Sequence, residues 1–172
     1  RLYAGDHPEI AKGLSALASG LRTIGRNAEA LARAQAAVSM RRRLSTRDSI
    51  QLSDDVAGVA ECLVWLGRYD EALVTAQSAL DMLRRLFPSG HPVMLDRLNT
   101  VANCQAQLGP HQALASAEEA LTMSRHIHAE DDPAVALSLA NTAYLLHLDG
   151  RSKEAIPRAE AALTMCRQLG PI

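Results

Sequence analysis

Aromatic residues are nearly absent: one Trp, one Phe and three Tyr serve 172 residues. β-Branched residues are also few, whereas Ala and Leu dominate, so the composition favours helix over sheet and predicts an all-α protein. No run of 18 apolar residues occurs, so no helix long enough to cross a bilayer is expected, and no membrane partner. The net charge is −1, which leaves no broad basic field to hold nucleic acid. Cysteine is scarce as well. Three residues, Cys62, Cys104 and Cys166, make no CxxC pair and no disulfide framework, which points to a reducing, cytoplasmic setting. Cys62 and Cys104 hold the same register on successive helices expected about 8–10 Å apart, too far for a bridge, so both are read as small buried apolar residues.

Catalytic signatures are missing too. The sequence contains no GxxxxGKS or GxxxxGKT, no GxGxxG, no GxSxG and no HExxH, so an enzyme is not expected, and neither is a cofactor. The six histidines are scattered. His126, His128 and Glu130 come closest to a metal cluster, but their spacing does not place them on one helical face, and no metal site is expected.

What the chain does contain is a repeat. In the stretch Leu66–Arg85, LGRYDEALVTAQSALDMLRR, Ala72, Ala76 and Ala79 fall at i, i+4 and i+7 and form one small-residue stripe that lets a neighbouring helix approach closely. The stripe returns as Ala30/Ala34/Ala37, Ala113/Ala117/Ala120 and Ala155/Ala159/Ala162, at intervals of 42, 41 and 42 residues. Each copy is followed by a Met (Met40, Met82, Met123, Met165) and then an Arg (Arg42, Arg84, Arg125, Arg167). The Met residues fit adaptable helix packing, and the Arg residues fit the negative end of a helix dipole. A period of this length means stacked supersecondary units that share one continuous core.

Each unit reads as two helices, A and B, joined at Gly25, Gly67, Gly109 or Gly150, where glycine supplies the left-handed conformation that closes a helix. His7-Pro8, His91-Pro92 and Asp132-Pro133 supply a cap followed by Pro at the first helical position. In the second repeat Ser45, Asp48, Ser49 and Ser53 compete for the cap. Expected spans are Pro8–Ile24 and Asn27–Leu44, then a helix ending at Leu66 and Tyr69–Leu86. Pro92–Leu108, His111–Ile127, Pro133–Asp149 and Ser152–Leu169 follow. Pro157 should bend the last helix slightly, and Gly170-Pro171 should stop it. The repeats are expected at about 7–45, 46–90, 91–130 and 131–170, within one array over 1–172. Arg1–Pro8, RLYAGDHP, echoes Arg85–Pro92, RLFPSGHP, so residues 1–6 read as the tail of a preceding repeat in a longer protein. Uncovered apolar ends make self-association through those ends a further expectation.

LGRYDEA, DGRSKEA and the paired alanines resemble the tetratricopeptide repeat, in the long form of about 42 residues found in kinesin light chains. Ala18, Ala60, Ala102 and Ala143 match that family's small residue of helix A, and Gly67, Tyr69, Ala72 and Ala79 match its turn and helix B. Leu21, Leu63, Gln105 and Leu146 depart from it, standing where an aromatic is usual. The resemblance implies a right-handed α-solenoid of four helix-turn-helix repeats whose A helices line a concave groove. It further implies a non-enzymatic protein-interaction scaffold that binds a peptide or partner protein there; the alternative is a regulatory or sensor module of a larger multidomain protein such as a signalling NTPase.

If the A helices line such a groove, helical spacing along them offers Lys12, Ser15, Ser19 and Thr23; then Asp54, Ala57, Glu61 and Trp65; then Asp96, Asn99, Asn103 and Gln107; and then Leu137, Ala140, Tyr144 and Leu148, with Asn141 and His147 flanking. The binding residues expected are therefore Lys12, Asp54, Glu61, Trp65, Asp96, Asn99, Asn103, Gln107, Asn141, Tyr144 and His147. An acidic and amide-rich centre with an apolar last repeat suits a partner that carries Lys or Arg and an apolar anchor near Tyr144. The acidic residues equally fit a solvated helix face, and Trp65 equally fits inter-repeat core.

Overall fold

The computed structural model describes residues 5–128 and 132–169; the expectations on Arg1–Ala4, Glu130 and Gly170-Pro171 lie outside them. Eight α-helices and no strand occur among the described residues: α1 (Pro8–Thr23), α2 (Asn27–Leu44), α3 (Ile50–Trp65), α4 (Tyr69–Leu86), α5 (Val93–Leu108), α6 (Pro110–Ile127), α7 (Pro133–Leu148) and α8 (Ser152–Leu169). They fall into two compact units divided after Pro88, with α1 to α4 in the first and α5 to α8 in the second. Within each unit consecutive helices pack on one another, so each unit is two hairpins laid side by side.

The turns explain the hairpins. Gly25, Gly67 and Gly150 have φ of 77°, 72° and 77°, the left-handed region that only glycine enters freely. At Gly25 the Arg26 N–H reaches Leu21 O at 2.9 Å and the Gly25 N–H reaches Arg22 O at 2.9 Å, which satisfies carbonyls that the helix end leaves open. Gly109 departs from the expectation: its φ of 163° and ψ of 131° are extended. The cause is Pro110, whose ring disfavours helical backbone in the residue before it. Pro110 itself opens α6, one residue ahead of the expected His111.

At the helix starts, the His7 ring nitrogen accepts the Glu9 N–H at 3.2 Å, and the Asp132 carboxylate accepts the Ala134 N–H at 2.8 Å. Pro92 is a cap with helical backbone, and α5 begins at Val93. Among the four rivals in the second repeat Ser49 caps α3, its hydroxyl accepting the Leu52 N–H at 3.1 Å. Ser53 is buried one turn later and donates to Ala79 O at 2.9 Å. Ile24, Leu66 and Asp149, expected inside their helices, are the residues just past the ends.

The alanine stripes are the packing surfaces. Of their twelve residues all are buried except Ala159. In the first unit Leu52, Val56 and Ala57 of α3 meet Ala79 and Met82 of α4, with Val38 of α2 against them. Ala57, expected to face a groove, is therefore core. In the second unit Ala102, Ala113, Leu114, Ala117, Leu145, Leu146 and Ala155 form one cluster, and Leu121, Val135, Leu139 and Ala162 another, with Met165 beside it.

Polar links also hold the hairpins. Asp55, buried on α3, forms an ion pair with Arg41 of α2 and accepts the Ser15 hydroxyl of α1 at 2.6 Å. Ser15, another expected groove residue, is thus occupied within the fold. At the first turn of each B helix except α6, Arg and Glu three residues apart form a two-pronged clasp: Arg26–Glu29, Arg68–Glu71 and Arg151–Glu154. The guanidinium holds each of these carboxyls below the usual range. Position 109, where α6 would need that Arg, is glycine.

Candidate functional site

In the second unit α5 and α7 bring their exposed faces together. Asn99, Ala102, Asn103 and Ala106 of α5 face Asn141, Tyr144 and Leu145 of α7 across a cavity of about 310 Å³, with Ala117 of α6 also in its wall. No charged side chain lines it. Three carboxamides offer donors and acceptors in matched number, which is what a peptide backbone presents. Four of the expected site residues, Asn99, Asn103, Asn141 and Tyr144, therefore meet in one place. Asp96 and Gln107 are exposed on α5 but line none of the cavity. Tyr144 and His147 also face a second cavity, of about 550 Å³, between α7 and α8, whose other walls include Ala155, Ile156, Leu163 and Cys166.

In the first unit the expected residues have more separate surroundings. Lys12 is exposed on α1 and Asp54 on α3. Trp65 is 66% exposed at the last position of α3, so it is not core. Glu61 is half-buried and forms an ion pair with Arg22 of α1, which leaves little of its negative charge for a partner. The acidic reading of this face is weaker than the sequence suggests.

Of the basic ladder, Arg42, Arg84, Arg125 and Arg167 are all exposed. Their neighbours do the linking: besides Arg41, Arg43 pairs with Asp6 and Arg85 with Asp48. The Arg43 hydrogen bond lowers the Asp6 carboxyl below its usual value. Spacing along a single helix does not reveal these pairs, but Asp6/Arg43 and Asp48/Arg85 stand at identical separations 42 residues apart, which is the signal that identifies them. His128 reaches Asp132 at 3.1 Å. Among the described residues no three His, Cys, Asp or Glu side chains are grouped to hold a metal ion, and no helix is long and apolar enough to cross a membrane.

A tetratricopeptide repeat family model matches residues 55–125. Residues 55–125 are tetratricopeptide repeats. No curated protein matches the sequence. Solved structures do match in fold. BtubC (BKLC) from P. vanneervenii has a TM-score of 0.84 at 16% identity, over 96% of this chain and 67% of its own. A kinesin light chain-type protein of Podosopora anserina with nearly identical TPR-like repeats has 0.81 at 16% identity, over 99% and 81%. A Rap protein solved in complex with Competence and Sporulation Factor has 0.81 at 16% identity, over 96% and 45%. The fold is thus the all-α helical-repeat solenoid of tetratricopeptide proteins.

The departures from the tetratricopeptide pattern have local reasons. Leu21, Leu63 and Leu146 are buried where the family usually has an aromatic, so an aliphatic side chain fills the site. Gln105 is half-buried with its Oε1 lacking a hydrogen-bond partner. All three cysteines are free; Cys62 and Cys104 are buried and Cys166 is exposed. Burial pushes the Cys104 thiol up to about 11 and raises Cys62 as well. An aromatic disulfide reagent at pH 8 is therefore expected to titrate one thiol rapidly in the native protein and three in denaturant. Rapid reaction of a second native thiol would contradict the burial of α3 or α5.

Proposed function

We propose that this chain is a non-enzymatic protein-interaction module that holds a peptide segment of a partner in the α5–α7 cavity. The observation that carries the reading is the convergence of Asn99, Asn103, Asn141 and Tyr144 on that one cavity. The amides pair with the peptide backbone, each bond contributing on the order of 1 kcal/mol net, and the Tyr144 ring covers an apolar side chain. Because no charged group lines the cavity, the side chain entering it is neutral; Lys or Arg of the partner belongs beside Asp96, exposed on α5. The fold-related Rap conjugation gene regulator of the plasmid pLS20, solved in complex with the Phr* peptide, supports peptide recognition on this architecture. Free thiols, two of them buried, fit a cytoplasmic setting.

A peptide array tests the reading. Asn103→Ala with Tyr144→Ala is expected to weaken peptides with a neutral central residue at least about tenfold, roughly 1.4 kcal/mol, while leaving the melting curve in place. Retention of the same peptides by the folded double variant would remove the cavity from consideration. A second reading, a sensor module of a larger signalling protein, draws on the Rap match, in which the shared region makes up 45% of the Rap chain. On that reading the array finds no peptide, and the isolated chain instead binds another domain of its own parent protein.

A further inference from the structure

The repeats give each hairpin an internal reference, and α5–α6 differs from α3–α4 at the positions that tie a hairpin shut. In α3–α4 the Ser49 hydroxyl accepts the Leu52 N–H, Ser53 donates to Ala79 O across the two helices, Arg68 clasps Glu71, and Arg85 pairs with Asp48. The residues in register on α5–α6 are His91, Leu95, Gly109 with Gln112, and His126 with Gly90. His91 still accepts an N–H, that of Val93 at 3.2 Å. The other three links cannot form from those side chains. Two core leucines have changed as well. Leu63 and Leu83 are buried on α3 and α4; in their register stand Gln105 and Ser124, whose buried Oε1 and Oγ have no hydrogen-bond partner. Such an atom keeps its desolvation cost and gains nothing in return. A cavity of about 600 Å³ also lies between the turn at 89–92 and the outer face of α6, and its walls include both Gly90 and His126.

We infer that the α5–α6 hairpin opens as a local unit while the rest of the chain stays folded, and that its closure assembles the α5–α7 cavity. Local opening is easiest where the fewest interactions oppose it, and in a repeat array each unit leans only on its neighbours, so one hairpin can open without dissolving the others. The consequence for binding rests on the peptide-binding reading; the opening itself does not. Asn99 and Asn103 travel with α5 and Ala117 with α6, so an open hairpin leaves Asn141 and Tyr144 with no facing wall. An occupant of the cavity touches all three helices and therefore favours the closed state. The site is thereby governed by an opening equilibrium set by residues that do not line it.

Cys62 on α3 and Cys104 on α5 hold the same register and are both buried, so they report the two hairpins within one molecule. A covered thiol reacts only from an open state. The test uses the 172-residue chain with Cys166→Ser, which removes the exposed thiol. With an aromatic disulfide reagent at pH 8 both remaining thiols react slowly, and Cys104 is expected to react at least about tenfold faster than Cys62, the two assigned by mass spectrometry of fragments. Gln105→Leu with Ser124→Ala is expected to slow Cys104 about tenfold and leave Cys62 unchanged. Neither residue lines the α5–α7 cavity. Gln105→Leu alone, which installs the residue found at Leu21, Leu63 and Leu146, is expected to act in the same direction and serves if the pair does not fold. Hydrogen exchange is expected to be faster in α5 and α6 than in α3, α4 and α7. Equal thiol rates overturn the inference, as does a Cys104 rate that neither variant moves. Exchange in α7 that keeps pace with α5 also overturns it, because the second unit then opens whole. No peptide enters this experiment, so an empty peptide array counts against the peptide-binding reading alone, and equal thiol rates count against local opening alone.

Discussion

Ala76→Arg is expected to remove most of the stability of the first unit. Ala76 lies at the centre of the α4 stripe, is buried, and sits on the helix that packs against α3. The substitution inserts a long side chain where a methyl group fills the space, and overpacking of this kind costs about 1–3 kcal/mol. The guanidinium also leaves water without a carboxylate to meet it, which adds several kcal/mol. A total above about 4 kcal/mol is a large part of the roughly 5–15 kcal/mol that holds a domain folded. The melting temperature should fall on the order of 10 °C, read by circular dichroism. Ser78→Arg, two residues away on the exposed side of the same helix, should change stability by less than about 0.5 kcal/mol. Equal melting curves for wild type and Ala76→Arg would show that the stripe does not face a neighbouring helix.

How much of this is legible in the sequence depends on whether a feature repeats. The stripe around Ala76 is one of four copies, so its periodicity and the hairpins it implies can be read without coordinates, as can the helix pairs to within a residue or so at each end. The turn at Gly109 cannot be read by analogy with Gly25, because the analogy ignores what Pro110 does to the backbone before it. The same limit applies to the site. Asn99, Asn103, Asn141 and Tyr144 were reachable from helical spacing, since spacing sets the face on which a side chain lies. Spacing does not say which partner reaches a residue from another helix. By spacing alone Glu61 is acidic lining, but Arg22 meets it; by the same spacing Ser15 and Ala57 face the groove, but Asp55 and the α3–α4 core occupy them. Arg22–Glu61 and Arg41–Asp55 join different helices and are not copied in the other repeats, so the sequence holds no periodic trace of them.

Asp55→Ala is the test of that non-repeating chemistry. The carboxylate is 5% exposed and bridges three helices, with one oxygen toward Arg41 of α2 and the other accepting the hydroxyl of Ser15 on α1. Removing it strands the Arg41 guanidinium, whose side chain is largely covered, without its counter-charge. Loss of one partner from a buried pair costs about 3–5 kcal/mol, because the remaining charge keeps its desolvation penalty and loses its compensation. A fall in melting temperature of roughly 10 °C is expected, and salt should change it little, since a covered pair is screened less than the exposed Arg26–Glu29 clasp. The double replacement Arg41→Leu with Asp55→Leu should recover most of the loss, as apolar substitutes of similar volume often match or exceed a buried ion pair. Such recovery would assign the pair to fixing the seating of α3 on α2 rather than to net stability. If Asp55→Ala alone leaves the melting curve unchanged, water reaches Arg41 and the α2–α3 junction is more open than its packing indicates.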